Sequence, residues 1–420
     1  MIFMIKDTLI IQKRELNNKL KETYIKRDVI KKGVDSDLVK VIIGPRRAGK
    51  SSFAVHLLPK NKKFGYVNFD DEKLIEVKDY DEIINALNSL YKNPKHILFD
   101  EIQNLEKWEL FVNRLQRQGY NLIITGSNSK LLSHELATHL TGRHFLMNLF
   151  PFSFKEFIET GEKELTQNEI REKLAYYLTY GGYPEPLVKK LDYREYLSTL
   201  FNSILYKDIV KRFKIRFIQG MEDLSSYLVS NAAQEFSYNA LAKLTKCKSA
   251  HTVEKYLSYL EEAFIFFRVN RFSYKMKEQL SSNKKIYCVD NGFIYAKAFK
   301  SSPDFGKLYE NAVAIELKKL EMDGKAQIYY WKNQQQEEVD FVVKKGSKIK
   351  RLIQVCYKYD LKTKGREIRA LIKASEGLKC KDLVLITENK EGYEDFKWFN
   401  IKRKIQYIPL WKWLLDSKKF

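Results

Sequence analysis

Between residues 39 and 58 a β-branched apolar run, Val39–Ile43, is followed by Gly44-Pro45-Arg46-Arg47-Ala48-Gly49-Lys50-Ser51-Ser52 and then by the helix-compatible Phe53-Ala54-Val55-His56-Leu57-Leu58. Strand, glycine loop and helix in that order leave this part of the chain little freedom. The two glycines let the backbone curl until successive N–H groups face one concavity, and the helix that follows adds its positive N-terminal end. Such a cradle suits a nucleoside triphosphate such as ATP: Lys50 reaches the β- and γ-phosphates, and the Ser51 hydroxyl ligates Mg2+. The expected nucleotide-contacting set is Gly44, Pro45, Arg46, Arg47, Ala48, Gly49, Lys50, Ser51 and Ser52 (a Walker A loop), with Arg46 and Arg47 clamping phosphate or an acidic neighbour.

Five apolar runs alternate with helical ones through the N-terminal two-fifths, at 39–43, 65–69, 96–99, 121–124 and 145–149. That rhythm predicts an α/β fold, a parallel sheet with helices on both faces and ligands at the carboxyl ends of its strands. The third run ends in Asp100-Glu101, where Asp100 is placed to hold Mg2+ through water and Glu101 to orient and deprotonate an attacking water. A strand-end carboxylate also caps helices, but behind a glycine loop of this kind the catalytic reading prevails. The fourth run leads into Thr125-Gly126-Ser127-Asn128. Ser127 and Asn128 are candidates there to sense the γ-phosphate, with a capped strand-end turn as the alternative. A helical stretch at 130–140 precedes Thr141-Gly142-Arg143. Arg143 is the candidate arginine finger, acting on a neighbouring subunit of a homo-oligomer, or else a surface ion-pair partner.

At 420 residues the chain has room for two or three domains, and its 44% hydrophobic content fits an ordered globular protein. A net charge of +22 suits a polyanionic partner such as DNA. A lysine coat over every surface gives the same figure, and charge spread along the whole chain leaves both readings standing. The four cysteines, Cys247, Cys288, Cys356 and Cys380, make no C-x-x-C pair, which argues for a reducing, cytoplasmic setting without structural zinc. No apolar run approaches bilayer length, and Lys6 and Asp7 break the apolar start, so no membrane span or cleaved leader is expected.

Helical pattern dominates from about 155 to 230, broken by Gly181-Gly182-Tyr183-Pro184. Residues 236–290 then read as helix, turn, helix and two strands. The second helix is capped by Ser249, with Val253, Leu257 and Leu260 on its core side and His251, Thr252 and Lys255 facing out. This is a winged-helix pattern, used either to bind DNA or for protein contacts and packing.

Taken in order, Gly-Pro-Arg-Arg-Ala-Gly-Lys-Ser, Tyr66-Val67-Asn68-Phe69-Asp70-Asp71, Leu98-Phe99-Asp100-Glu101-Ile102-Gln103, Thr125-Gly126-Ser127-Asn128 and Leu140-Thr141-Gly142-Arg143 resemble the bacterial and archaeal AAA-type ATPases fused to a C-terminal domain of unknown function. Phe150-Pro151-Phe152-Ser153-Phe154-Lys155-Glu156-Phe157 and the Gly181–Pro184 stretch resemble the segment that follows the AAA module there. The resemblance covers nearly the whole chain and implies ATP binding and hydrolysis.

The C-terminal region resembles the PD-(D/E)xK nuclease fold, in which a helix Glu, a strand Asp and a Glu-x-Lys build a metal site. Glu310 and Asp340 match the first two positions, but the third reads Gln354-Val355-Cys356. An amide brings no charge to a metal and Cys cannot supply the lysine cation, so a nuclease fold without nuclease activity is expected, with Lys358 as a nearby substitute in the active alternative. The expected layout is a helical segment at 1–30, an AAA-type P-loop ATPase domain at 31–155, a helical region at 156–230, a winged-helix-like domain at 231–295 and a nuclease-like domain at 300–420. ATP state would control that last part.

Overall fold

The computed structural model describes residues 2–29, 36–58, 63–128, 142–161, 164–299, 304–358 and 361–416. The helix expected at 130–140 and Thr141 lie outside the described residues. Two compact units divide the chain: Met1–Pro151 with Glu262–Phe264, and Phe152–Glu261 with Ile265–Phe420.

The first unit is built on five parallel strands, β1 (Val39–Ile43), β2 (Phe64–Asn68), β3 (His96–Asp100), β4 (Asn121–Gly126) and β5 (His144–Asn148), in the order β2-β3-β4-β1-β5. Four lie within one residue of the apolar runs that announced them, and β4 runs two residues past its own, to Gly126. A parallel sheet covered on both faces needs unbroken apolar strands, and every residue of β1 is buried. Even Lys40 is 1% exposed, its ammonium bonded to Asn121 Oδ1 at 2.9 Å. Because β4 is inserted between β1 and β3, the carboxyl ends of all three open beside one another.

The helix Ile2–Lys19 buries Ile5, Leu9 and Leu16 at helical spacing. Its Gln12 amide pairs with the end of edge strand β2 as a backbone would, donating to Asn68 O at 3.0 Å and accepting from Asn68 N at 2.9 Å. On the helix Trp108–Arg117, Trp108, Phe111, Val112 and Leu115 form the buried stripe.

The second unit holds one mixed sheet of nine strands: β6 (Gln234–Phe236), β7 (Phe266–Arg271), β8 (Lys284–Cys288), β9 (Gln327–Lys332), β10 (Glu338–Lys345), β11 (Lys348–Cys356), β12 (Leu383–Thr387), β13 (Gly392–Trp398) and β14 (Ile401–Pro409). Their order is β13-β14-β12-β11-β10-β9-β7-β8-β6. β6 and β7 both pair antiparallel with β8, and the helices Tyr238–Leu244 and Ala250–Glu262 lie between β6 and β7 in the chain. β7 then pairs parallel with β9 through Asn270↔Tyr329 and Arg271↔Tyr330. The strands of 234–288 and of 327–409 are therefore hydrogen-bonded into a single sheet.

The break at Gly181-Gly182-Tyr183-Pro184 is a packing junction. Gly181 has φ 78°, and a Cβ on it would lie 1.8 Å from Asp290 Oδ1; one on Gly182 would lie 2.2 Å from Phe152 O. Asp290 accepts the Gly182 and Gly292 N–H groups, each at 2.8 Å. The basic, aromatic tail closes the unit as β14 and the helix Leu410–Asp416, with Trp411 and Trp413 buried. Among the described residues no helix is long and apolar enough to cross a membrane.

Candidate functional site

The glycine loop leaves β1 at Gly44, whose Cβ would sit 1.8 Å from Leu149 O beyond β5; only glycine permits that approach. Arg47 and Gly49 take positive φ, 63° and 92°, and the helix Lys50–Leu57 starts immediately after. This alternation turns the loop back on itself. The Lys50 side chain is 3% exposed, and its ammonium donates to Pro45 O at 2.9 Å and lies 3.6 Å from Glu101 Oε1. The lysine thus spans the concavity that the loop encloses. Ser51 and Ser52 are half-buried on the first turn of the helix. Arg46 of the loop pairs with an acidic neighbour, Asp70, at 3.2 Å.

Asp100, the last residue of β3, is 3% exposed. Thr125 Oγ1 donates to its Oδ1, and the Tyr66 hydroxyl donates to Oδ2 at 3.1 Å. Burial, and next Asp100 itself, push the Tyr66 hydroxyl far above its usual range, so it remains a donor. Glu101 follows in a left-handed conformation, φ 51°, which turns its side chain from the strand towards Lys50. Its N–H is received by the same Thr125 oxygen at 3.1 Å. Gln103 Nε2 bridges Glu101 Oε2 and Ser127 Oγ, the latter at 3.3 Å. Burial works to raise the Glu101 carboxyl, but the Lys50 ammonium and the Gln103 and Ser127 hydrogen bonds outweigh it and hold the group below the usual range. Glu101 is therefore a carboxylate, as a proton acceptor must be.

The structure brings Lys50, Asp100, Glu101 and Ser127 to one place. Asn128 is buried two positions past β4. Arg143 is exposed at the opposite end of the sheet: its carbonyl accepts from Val39 N, at the start of β1, about 13 Å along the strand from the loop. Three residues with no assigned role in the sequence reading hold the site. Thr125 and Gln103 lie inside quoted motifs, but nothing in the sequence marked them as the residues that brace the acidic pair. Arg27 lies in none: it is 5% exposed, donating to Ala48 O at 2.8 Å and to Phe150 O at 2.6 Å.

A second polar cluster lies in the nine-stranded sheet. Lys285 of β8, 3% exposed, places its ammonium 2.8 Å from Glu310 Oε1, 3.2 Å from Asp340 Oδ1 and in contact with Glu338 Oε1. Tyr287, two residues on and so on the same strand face, donates to Glu310 Oε1 at 2.7 Å. Burial disfavours the ammonium, yet Glu310 and the other acidic neighbours outweigh it and raise Lys285 well above its ordinary value. Gln354 accepts the Asp340 N–H at 3.2 Å and donates to Glu367, while Cys356 is buried with its thiol directed at Lys358 O. Among the described residues no group of three or more His, Cys, Asp and Glu side chains is placed to hold a metal ion.

A five-stranded parallel sheet with a glycine loop on β1 and an Asp-Glu pair on β3 defines a P-loop protein, and residues 36–158 match the AAA domain family. An AAA domain implies nucleotide binding. Residues 171–304 and 305–413 match two domains of unknown function, DUF8612 and DUF4143. The chain is 35% identical to the uncharacterised protein MJ1544 of Methanocaldococcus jannaschii across 97% of its own length and 95% of that protein. It is also 33% identical to an uncharacterised protein of Haemophilus influenzae, over 67% of this chain and 75% of the other. The chain belongs to the family of these proteins; in it the AAA domain precedes the two segments of unknown function.

Proposed function

We propose that this protein binds ATP in the Gly44–Ser52 loop and hydrolyses it. The observation that carries the reading is the buried Lys50 ammonium, held among the described residues by a loop carbonyl and a carboxylate 3.6 Å away, at the mouth of three adjoining strand ends. An arriving triphosphate offers that ammonium a stronger partner than Pro45 O. Glu101 then accepts the proton of the attacking water, Ser127 and Asn128 contact the γ-phosphate, and Arg46 and Arg47 add positive charge. Mg2+ fits the donor set of the Ser51 hydroxyl and, through water, Asp100; it would neutralise the phosphate charge. Arg143 is too far from its own loop to act there, and serves as an arginine finger only towards a neighbouring copy. The decisive experiment measures nucleotide binding and phosphate release separately. Lys50→Ala should lose ATP binding, whereas Glu101→Gln should keep it and lose about 10²–10⁴-fold in turnover. Unchanged turnover in Glu101→Gln removes the assigned base.

A second reading, that the protein also contacts DNA, is supported by the β6-helix-helix-β7-β8 order and by the charge it exposes. Lys243, Lys246, Lys248, His251 and Lys255 are all exposed along the two helices and their turn. In this reading 231–295 is a winged helix, and ATP state governs what it and the nuclease-like 300–420 region hold. DNA-stimulated ATP turnover that fades with salt, and is lost in a Lys248→Glu, Lys255→Glu double variant, is the expected outcome. Turnover indifferent to DNA at low salt removes this reading and leaves the ATPase reading intact.

A further inference from the structure

The PD-(D/E)xK likeness of the C-terminal region brings with it a divalent cation, and the residues gathered at that place do not suit one. Glu310 comes from the helix Phe305–Met322, and Glu338 and Asp340 stand two apart on one face of β10. The three carboxylates meet at the Nζ of Lys285. An ammonium has three N–H donors, and here each has one carboxylate. The remaining capacity is largely committed. Asp340 Oδ2 accepts Val355 N–H at 2.9 Å, Tyr287 holds Glu310, and Gln354 spends its carbonyl on the Asp340 N–H and its amide on Glu367. A divalent cation needs oxygens at about 2.1–2.6 Å on most sides, and the ammonium fills the space where it would sit.

We propose that Lys285 is a built-in counter-cation: it takes the position a metal would hold between Glu310, Glu338 and Asp340, and so keeps this region metal-free. The lysine comes from β8, outside the 305–413 segment that contributes all three carboxylates. The preceding segment thereby closes the acidic cluster of the one that follows. The ion network joins the two, and phosphodiester cleavage through a metal is shut off. Removing the ammonium leaves three converging acidic side chains whose nearest other cation is Lys332, 3.7 Å from Glu338 Oε2 on the far side of that carboxylate, and a contraction of about 1 Å or less from the distances to Nζ would bring their oxygens to metal range.

The test is Mn2+ binding by the nucleotide-free full-length protein, followed by the paramagnetic signal of the free ion. Lys285→Met should gain one Mn2+ per chain, bound at least about tenfold more tightly than any wild-type site, a difference of about 1.4 kcal/mol. The gain should vanish in the Lys285→Met, Asp340→Asn double variant. Wild type and Asp340→Asn should be indistinguishable, and this arm does not depend on how Lys285→Met folds. A wild-type Mn2+ site that Asp340→Asn abolishes would overturn the proposal, as would a Lys285→Met protein with a cooperative melting transition and no added site.

Discussion

At the level of single residues, the Asp-Glu pair is held in place by its neighbours. Thr125 uses one hydroxyl twice, donating to Asp100 and accepting the Glu101 N–H, so it fixes both members from the neighbouring strand. Thr125→Val keeps the shape of the side chain and removes both bonds. An orphaned buried N–H and a less braced carboxylate cost about 1–3 kcal/mol. We expect a lower melting temperature and turnover reduced by more than nucleotide affinity, because Lys50 and the loop are untouched. Equal loss of both in phosphate-release and binding measurements would mean that Thr125 supports the loop itself. That Lys50, Asp100 and Glu101 meet at one place was legible in the sequence, because a glycine loop and a strand-end acidic pair are motifs of fixed spacing. Thr125 and Gln103 were visible as members of motifs but not as holders, since which side chain braces which depends on strand order. Lys285 could not be read at all. In the chain it is the second of two lysines entering a strand, and only the pleat decides that Lys284 stays near solvent while Lys285 turns in to carboxylates 25 and 55 residues away.

Among the elements, the five strands of the first sheet were readable because doubly covered parallel strands are short, predominantly apolar runs, alternating here with helical stretches. Their order was not in the sequence: the strand that comes between β1 and β3 in the chain is β2, whereas the one between them in the sheet is β4. The tie between elements was hidden too. Arg27 belongs to no regular element, yet it joins the glycine loop, through Ala48 O, to the segment after β5, through Phe150 O. Two bonds from a buried guanidinium to carbonyls contribute about 1.5–3 kcal/mol each at the upper end. Arg27→Met should therefore lower the melting temperature of the first unit and weaken ATP binding without touching a residue that contacts nucleotide. Arg27→Lys, a point charge lacking the forked geometry, should recover only part of the loss. Full ATP affinity in Arg27→Met, measured by calorimetry, would show that the loop holds its shape unaided.

At the scale of the whole molecule, strands from 234–288 and from 327–409 share one nine-stranded sheet. The sequence suggested a break near 300, since the winged-helix pattern ends before it and a new helix begins after it. Periodicity cannot report that a strand on one side pairs with a strand on the other, and here β7 pairs with β9. The interdependence goes further than that pairing. The Cys288 backbone is served on both sides by the Asn311 amide, with Cys288 N donating to Asn311 Oδ1 at 2.8 Å and Asn311 Nδ2 donating to Cys288 O at 3.0 Å. Every carboxylate ion-paired with Lys285 lies beyond residue 300. A chain ending at residue 299 would thus keep β6, β7 and β8 but strand a buried ammonium, leave β7 with an open edge and orphan the Cys288 peptide groups. An unpaired buried charge alone costs about 3–5 kcal/mol, a large share of the stability of any domain. The expectation is that residues 1–299, expressed without the rest, show at most the unfolding transition of the first unit, with the 152–299 part open to limited proteolysis. Adding Lys285→Met to the fragment removes the charge but not the open strand edge, so it should restore protection only in part. If the plain fragment instead resisted protease through residue 299 and melted in two cooperative steps, the 231–295 segment would be an independent domain, and the ion network would be an embellishment on a fold that stands without it.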